Sequence, residues 1–99
     1  MSVREVLIGA LALIEKGWCQ GSPAKNEAGD EVWFNDPTAT QFCLIAAISK
    51  TVGTNQDLRR YLLPLEKFLP KNKWPWSWND EPGRTKEEVV DLFRKAIDE

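Results

Sequence analysis

Apolar side chains recur along the first sixteen residues with the spacing of a helix. At 100° per residue, Val3, Val6, Leu7, Ala10, Leu11, Leu13 and Ile14 fall on one arc of about 160°, and Arg4, Glu5, Glu15 and Lys16 share the opposite strip. Ser2 and Glu5 stand at the spacing of a capping box, in which a serine oxygen and a glutamate carboxylate satisfy amides that the first turn leaves unpaired. The pattern predicts helix one over residues 2–16. Gly9 interrupts it at a cost of about 1 kcal/mol against alanine, which points to a close approach by another segment. Gly17 suits the left-handed position just past a helix end.

Helical periodicity then stops. The turn-forming run Asn26–Asp30 separates Trp18–Lys25 from Glu31–Phe34, and a short β-hairpin is predicted near 18–34. Asp36 followed by Pro37 reads as an N-cap with proline at the first helical position, and Thr38 with Gln41 offers a second capping box, so helix two is predicted over 37–52. Its segment Phe42–Ile48 is apolar on every side. Periodicity does not separate a buried helix from a buried strand in such a run, but the alanines and the caps ahead of it favour helix. That places helix two at the centre of the fold.

Helix three is predicted over 55–69, with Leu58, Tyr61, Leu62, Leu65, Phe68 and Leu69 in one stripe. Pro64 interrupts it and predicts a kink or two short helices. Residues 71–84 read as an irregular tryptophan-rich loop, punctuated by Pro75, Pro82 and Gly83. Helix four, over 86–98, opens on the capping box of Thr85 and Glu88 and turns Val89, Val90, Leu92, Phe93, Ala96 and Ile97 inward. The predicted fold is α+β, mainly α. Four helices pack around helix two with a short hairpin beside them, in a single domain spanning 1–99.

Composition narrows the function. An apolar content of 42% excludes intrinsic disorder. There is no histidine, which excludes a Ser-His-Asp triad, a Cys-His pair and a histidine pH switch. The two cysteines, Cys19 and Cys43, are too few for a structural zinc site or a disulfide framework and read as thiols of a reducing compartment. The apolar run Val6–Ile14 is short for a membrane span and is flanked by Glu5 and Glu15, so a cytoplasmic protein with no membrane partner is expected. The net charge of −2 is uneven, with +4 between Lys50 and Lys73 and −3 on either side. A basic stretch of that size is too weak to imply nucleic acid by itself.

Three groups of residues invite chemistry. Asn79, Asp80 and Arg84 form the sharpest polar cluster. The preferred reading is structural: an Asx-turn at Asn79 or Asp80, and Arg84 paired with Asp80 or Glu81 ahead of the Thr85 cap. The functional reading is an anion clamp in which Arg84 grips and Asn79 and Asp80 orient, with Glu87 and Glu88 opposing it. Cys43 would be activated by a helix dipole if the helix began at Thr40, but a start at Asp36 carries it too far along, and a buried apolar role is preferred. Cys19 is the more reachable thiol and has no resolving partner. Of the five tryptophans, Trp18 and Trp78 read as core filler, and Trp33 joins the general invitation to binding. Trp74 and Trp76 sit in a proline-flanked loop that cannot bury everything. No carboxylate spacing singles out a glycosidase pair, and there is no phosphate-cradling glycine loop.

The pieces Gly17-Trp18-Cys19-Gln20-Gly21, the Cys43 segment, and Trp78-Asn79-Asp80 followed by Gly83-Arg84-Thr85-Lys86-Glu87-Glu88-Val89 occur in one order. Together they resemble a family of small uncharacterised bacterial and phage proteins, a domain of unknown function. The resemblance spans most of the chain and implies no catalytic residue. Departures are Phe42 ahead of Cys43 and the extended Trp74-Pro75-Trp76.

The leading expectation is therefore a non-catalytic binding or regulatory domain, with no cofactor, that meets a protein or small ligand through Trp74, Trp76, Trp78, Asn79, Asp80 and Arg84. A small enzyme using Cys43, or Asp80 with Arg84, is the second class. A weak single-stranded nucleic-acid binder using Lys71, Lys73, Trp74 and Trp76 is the third.

Overall fold

In the computed structural model, which describes residues 2–99, the elements run α1 (Val3–Lys16), β1 (Ala24–Asn26), β2 (Glu31–Val32), β3 (Ala39–Phe42), α2 (Leu44–Val52), α3 (Arg59–Glu66), α4 (Pro75–Asn79) and α5 (Lys86–Asp98). The two long helices begin as their caps dictate. Ser2 Oγ accepts from the Glu5 amide at 3.1 Å while Glu5 Oε1 accepts from the Ser2 amide at 2.9 Å. Thr85 and Glu88 repeat the exchange at α5, at 3.2 and 2.9 Å. The inner face of α1 buries Val6, Leu7, Ala10 and Ile14, and that of α5 buries Val89, Leu92, Phe93 and Ala96.

Helix two is not the centre. Helix α1 holds that place, packing against α2, α3, α5 and β3. The reason lies in the segment expected to be one helix over 37–52, whose first part is strand. Asp36 caps a turn instead of a helix: its Oδ1 accepts from the Thr38 amide at 2.8 Å and from Thr38 Oγ1 at 2.6 Å. Residues Ala39–Phe42 then pair antiparallel with β1, placing Ala24 opposite Phe42 and Lys25 opposite Gln41. Burial alternates through this strand and ends on a buried Phe42. Cys43 is the true N-cap of α2, its Sγ accepting from the Ala46 amide at 3.3 Å. Of the all-apolar run, Phe42 therefore lies in the sheet and Leu44–Ile48 in a helix.

The predicted hairpin is present as β1 and β2, with Ala24 opposite Val32 and Lys25 opposite Glu31. It is the larger part of a three-stranded sheet of order β2-β1-β3. The third strand supplies support that two short strands alone lack.

Two glycines mark close approaches. Gly17 is extended (φ −173°), not left-handed, and a Cβ there would lie 2.3 Å from the Thr40 carbonyl oxygen. Behind α1 the chain runs alongside β3, where the Phe42 amide donates to Gly17 O at 3.0 Å and the Cys19 amide to Phe42 O at 3.2 Å. At Gly9 a Cβ would lie 2.7 Å from Thr51 Cγ2, so the missing side chain lets α1 and α2 meet.

The remaining corrections are local. Helix three spans 59–66 and not 55–69, because Thr54 Oγ1 accepts from the Gln56 amide at 3.1 Å and holds a turn ahead of it. Pro64 sits inside this single helix, which ends two residues later. Leu58 and Leu65 are buried, and Phe68 is exposed. The tryptophan-rich loop contains a fifth helix, α4, started by Pro75 at a position where a missing amide costs nothing. No helix among the described residues is long and apolar enough to cross a membrane.

Candidate functional site

Helix α4 is short, but one of its side chains organises half the molecule. Asn79 is fully buried. Its Oδ1 accepts from Trp18 Nε1 at 2.8 Å and from the Leu44 amide at 3.1 Å. Its Nδ2 donates to Cys19 O at 3.2 Å and to Asp80 Oδ1 at 2.9 Å. A primary amide offers two acceptor sites and two donors, and all four are used. Around it, Gln20 Nε2 donates to the carbonyls of Asn79 and Glu81 at 2.9 and 2.8 Å, and the Gly21 amide donates to Asp80 Oδ1 at 3.1 Å. The segments Trp18–Gly21 and Asn79–Glu81, about sixty residues apart in sequence, are thus one hydrogen-bonded unit. The local Asx-turn expected at Asn79 or Asp80 is replaced by this long-range clasp, which takes up both side chains.

Arg84 is held elsewhere. Its guanidinium carbon lies 3.9 Å from the centroid of the Trp78 ring, and its Nε donates to Trp78 O at 2.9 Å. The remaining donors meet Glu81 at 3.1 Å and Glu88 at 3.2 Å. The expected ion pair forms with Glu81, not Asp80. Hydrogen bonding from Lys73 is the first cause holding the Glu81 carboxyl below its usual range, with Arg84 adding to it. For Glu88 the first cause is the Thr85 amide of the capping box. Trp78 itself packs partly buried against the core, as does Trp18.

Between the sheet, α2 and α4 lies an open, largely apolar cleft of about 330 Å³. Pro23 just ahead of β1 and Trp33 and Phe34 just after β2 line one side; Ile45, Ala46 and Ser49 of α2 and its N-cap Cys43 line another; Trp76 and Asn79 of α4 and its C-cap Asp80 close it. Asp80 is its one charged lining residue. Trp33 is 67% exposed and Trp76 51%. Trp76 is stacked on Trp74, ring centroids 5.6 Å apart and planes 14° from parallel. Of the residues singled out in the sequence, Cys43, Trp76, Asn79 and Asp80 converge here, whereas Trp74, Trp78 and Arg84 do not line the cleft. Trp33, which the sequence marks only as one of five tryptophans open to binding, also lines the cleft, and its neighbours Pro23 and Phe34 carry no signal in the sequence.

The thiols are poorly disposed to attack. Burial is the main influence on Cys43 and pushes its pKa up, against a smaller opposing pull from the amides of Ala46 and Ile45. Burial likewise raises Cys19 to about 11, and its Sγ is directed at the carbonyls of Ser22 and Pro23 at 3.6 and 3.9 Å. Both cysteines are free. Among the described residues, no group of three or more cysteine, aspartate or glutamate side chains is placed to hold a metal ion.

Comparison with curated proteins and with solved structures finds no match. The likeness to a family without an assigned function does hold over the full length: residues 1–99 match the family of unknown function DUF6197, and the chain belongs to it.

Proposed function

We propose that this protein is a non-catalytic binding domain whose site is the cleft between Trp33, the first turns of α2 and the Trp76–Asp80 helix. One observation carries the reading. Three elements turn apolar side chains toward a single open cleft, and two large indoles stand half or more exposed at it. A concave, mostly apolar pocket with few polar groups is the usual form of a small-ligand site, and about 330 Å³ lies at the small end of the usual range. Within the segment Trp74–Arg84, Trp76 and Asp80 offer contact, Trp74 buttresses Trp76, and Asn79, Trp78 and Arg84 hold the frame.

The alternatives have less support. A cysteine nucleophile needs a thiolate, and burial raises the Cys43 pKa, which disfavours that form. A nucleic-acid strand would use Lys73, which is paired with Glu81. The two free thiols fit a reducing compartment and favour a cytoplasmic setting.

A fragment screen followed by backbone and indole NMR tests the site. Binders are expected to shift the amides of Cys43–Ser49 and the indole signals of Trp33 and Trp76, and to lose that effect in Ile45→Trp, which adds bulk at a half-buried position on the cleft wall. Fragments that bind elsewhere only, or that are indifferent to Ile45→Trp in the folded variant, would remove the proposal.

A further inference from the structure

We infer that the occupant of this cleft is a small organic cation, an alkylated ammonium group carried on an apolar body; this rests on the binding reading above and adds the charge of the ligand. The argument begins with what surrounds the space. No lysine or arginine is among the lining residues, and Asp80 is the single charge. The carboxylate is exposed, and none of the ion pairs among the described residues includes it. Its Oδ1 is fixed by the Gly21 amide and by Asn79 Nδ2. The carboxylate is therefore held in one orientation, while no hydrogen bond among the described residues uses Oδ2. A fixed negative charge beside an apolar wall favours a guest with a positive end and a hydrocarbon end.

The aromatic groups point the same way. The face of an indole attracts a cation through its quadrupole, and alkylated ammonium ions are the cations whose weak hydration makes that exchange favourable. Trp33 and Trp76 both line the cleft. Trp74 is offset-stacked on Trp76, and about half of Trp76 remains exposed. An anionic guest would meet Asp80 at close range with no compensating cation. A neutral apolar guest would gain nothing from the charge of the carboxylate, which keeps its bonds to Gly21 and Asn79 and its water.

The test uses the intact protein and two probes of nearly the same shape, benzyltrimethylammonium and its neutral carbon isostere neopentylbenzene, each titrated by NMR. The cation is expected to shift the Trp33 and Trp76 indole signals and to bind at least about fivefold more tightly than the isostere. Asp80→Asn should weaken the cation about threefold to fivefold, as expected for one exposed charge pair, and leave the isostere unchanged. Trp33→Leu keeps apolar contact but removes a ring, and should weaken the cation more than the isostere. It stands on an exposed position, so it serves if Asp80→Asn disturbs the fold. Equal binding of the two probes, or a cation indifferent to both substitutions, overturns the inference while leaving the apolar cleft in place. Binding of neither probe, together with an empty fragment screen, overturns the cleft reading as well.

Discussion

Asn79 illustrates how much a single buried amide can organise. Replacing it with alanine strands the Trp18 indole N–H and the Leu44 amide in the interior. The expected loss is about 2–4 kcal/mol in urea unfolding, with α2 and the Trp18 segment the first to lose protection in hydrogen exchange. Cys19 supplies the pH dependence at this scale. Its ordinary thiol pKa near 9 rises to about 11 on folding, so the folded state favours the protonated form. The stabilisation is complete below pH 9 and is lost as pH rises from 9 through 11. It amounts to about 2–3 kcal/mol, and unfolding midpoints measured across that window should fall more steeply than in Cys19→Ser. In the sequence Asn79 stood out only by type. Its partners lie about sixty residues away, and nothing in a linear pattern announces a side chain that bonds to a distant indole and a helix-opening amide.

Elements were legible where one face is apolar and the ends carry caps. Helices α1 and α5 satisfy both conditions and begin where their capping boxes require. The segment 37–52 satisfied neither cleanly. Asp36 and Pro37 serve a tight turn as well as a helix start, and an all-apolar run has no face to reveal its period, so the strand Ala39–Phe42 was hidden inside an expected helix. Gly17 is the register mark of that strand. Gly17→Ala should drive a methyl group into the Thr40 carbonyl, separate the end of α1 from β3, and cost about 2–3 kcal/mol by urea unfolding. A comparable substitution at exposed Gly29, which has open space around it, is the control for steric conflict, although its positive φ brings a smaller strain of its own. The candidate site was legible by half: the α4 wall carries rare residue types in a short span, whereas on the opposite wall only Trp33 stands out by type, and Pro23 and Phe34 are brought beside it by the pairing of β1 with β2.

At the scale of the whole molecule, the first and last helices are partners. Val6, Leu7, Ala10 and Ile14 of α1 share one core with Val89, Leu92, Phe93 and Ala96 of α5. Arg4 Nε donates to Ile97 O at 3.3 Å, and Arg94 meets Glu15 at 3.6 Å. Losing the α5 side chains removes roughly 5–9 kcal/mol of apolar burial, comparable with the total stability of about 5–15 kcal/mol expected at this length. A chain ending at Arg84 is therefore expected to show a collapsed, poorly dispersed amide spectrum and no cooperative thermal transition. A dispersed spectrum from that fragment would show that the first 84 residues fold without their closing helix.

The paired indoles of Trp74 and Trp76 give the molecule an optical property of its own. With ring centroids 5.6 Å apart and planes 14° from parallel, each indole is a large part of the other's surroundings. Because Trp76 also forms a wall of the cleft, a guest bound as proposed is expected to change the fluorescence of the pair. Titration followed by tryptophan emission, with Trp74→Phe to separate the pair from the other three indoles, would read out occupancy without a dye.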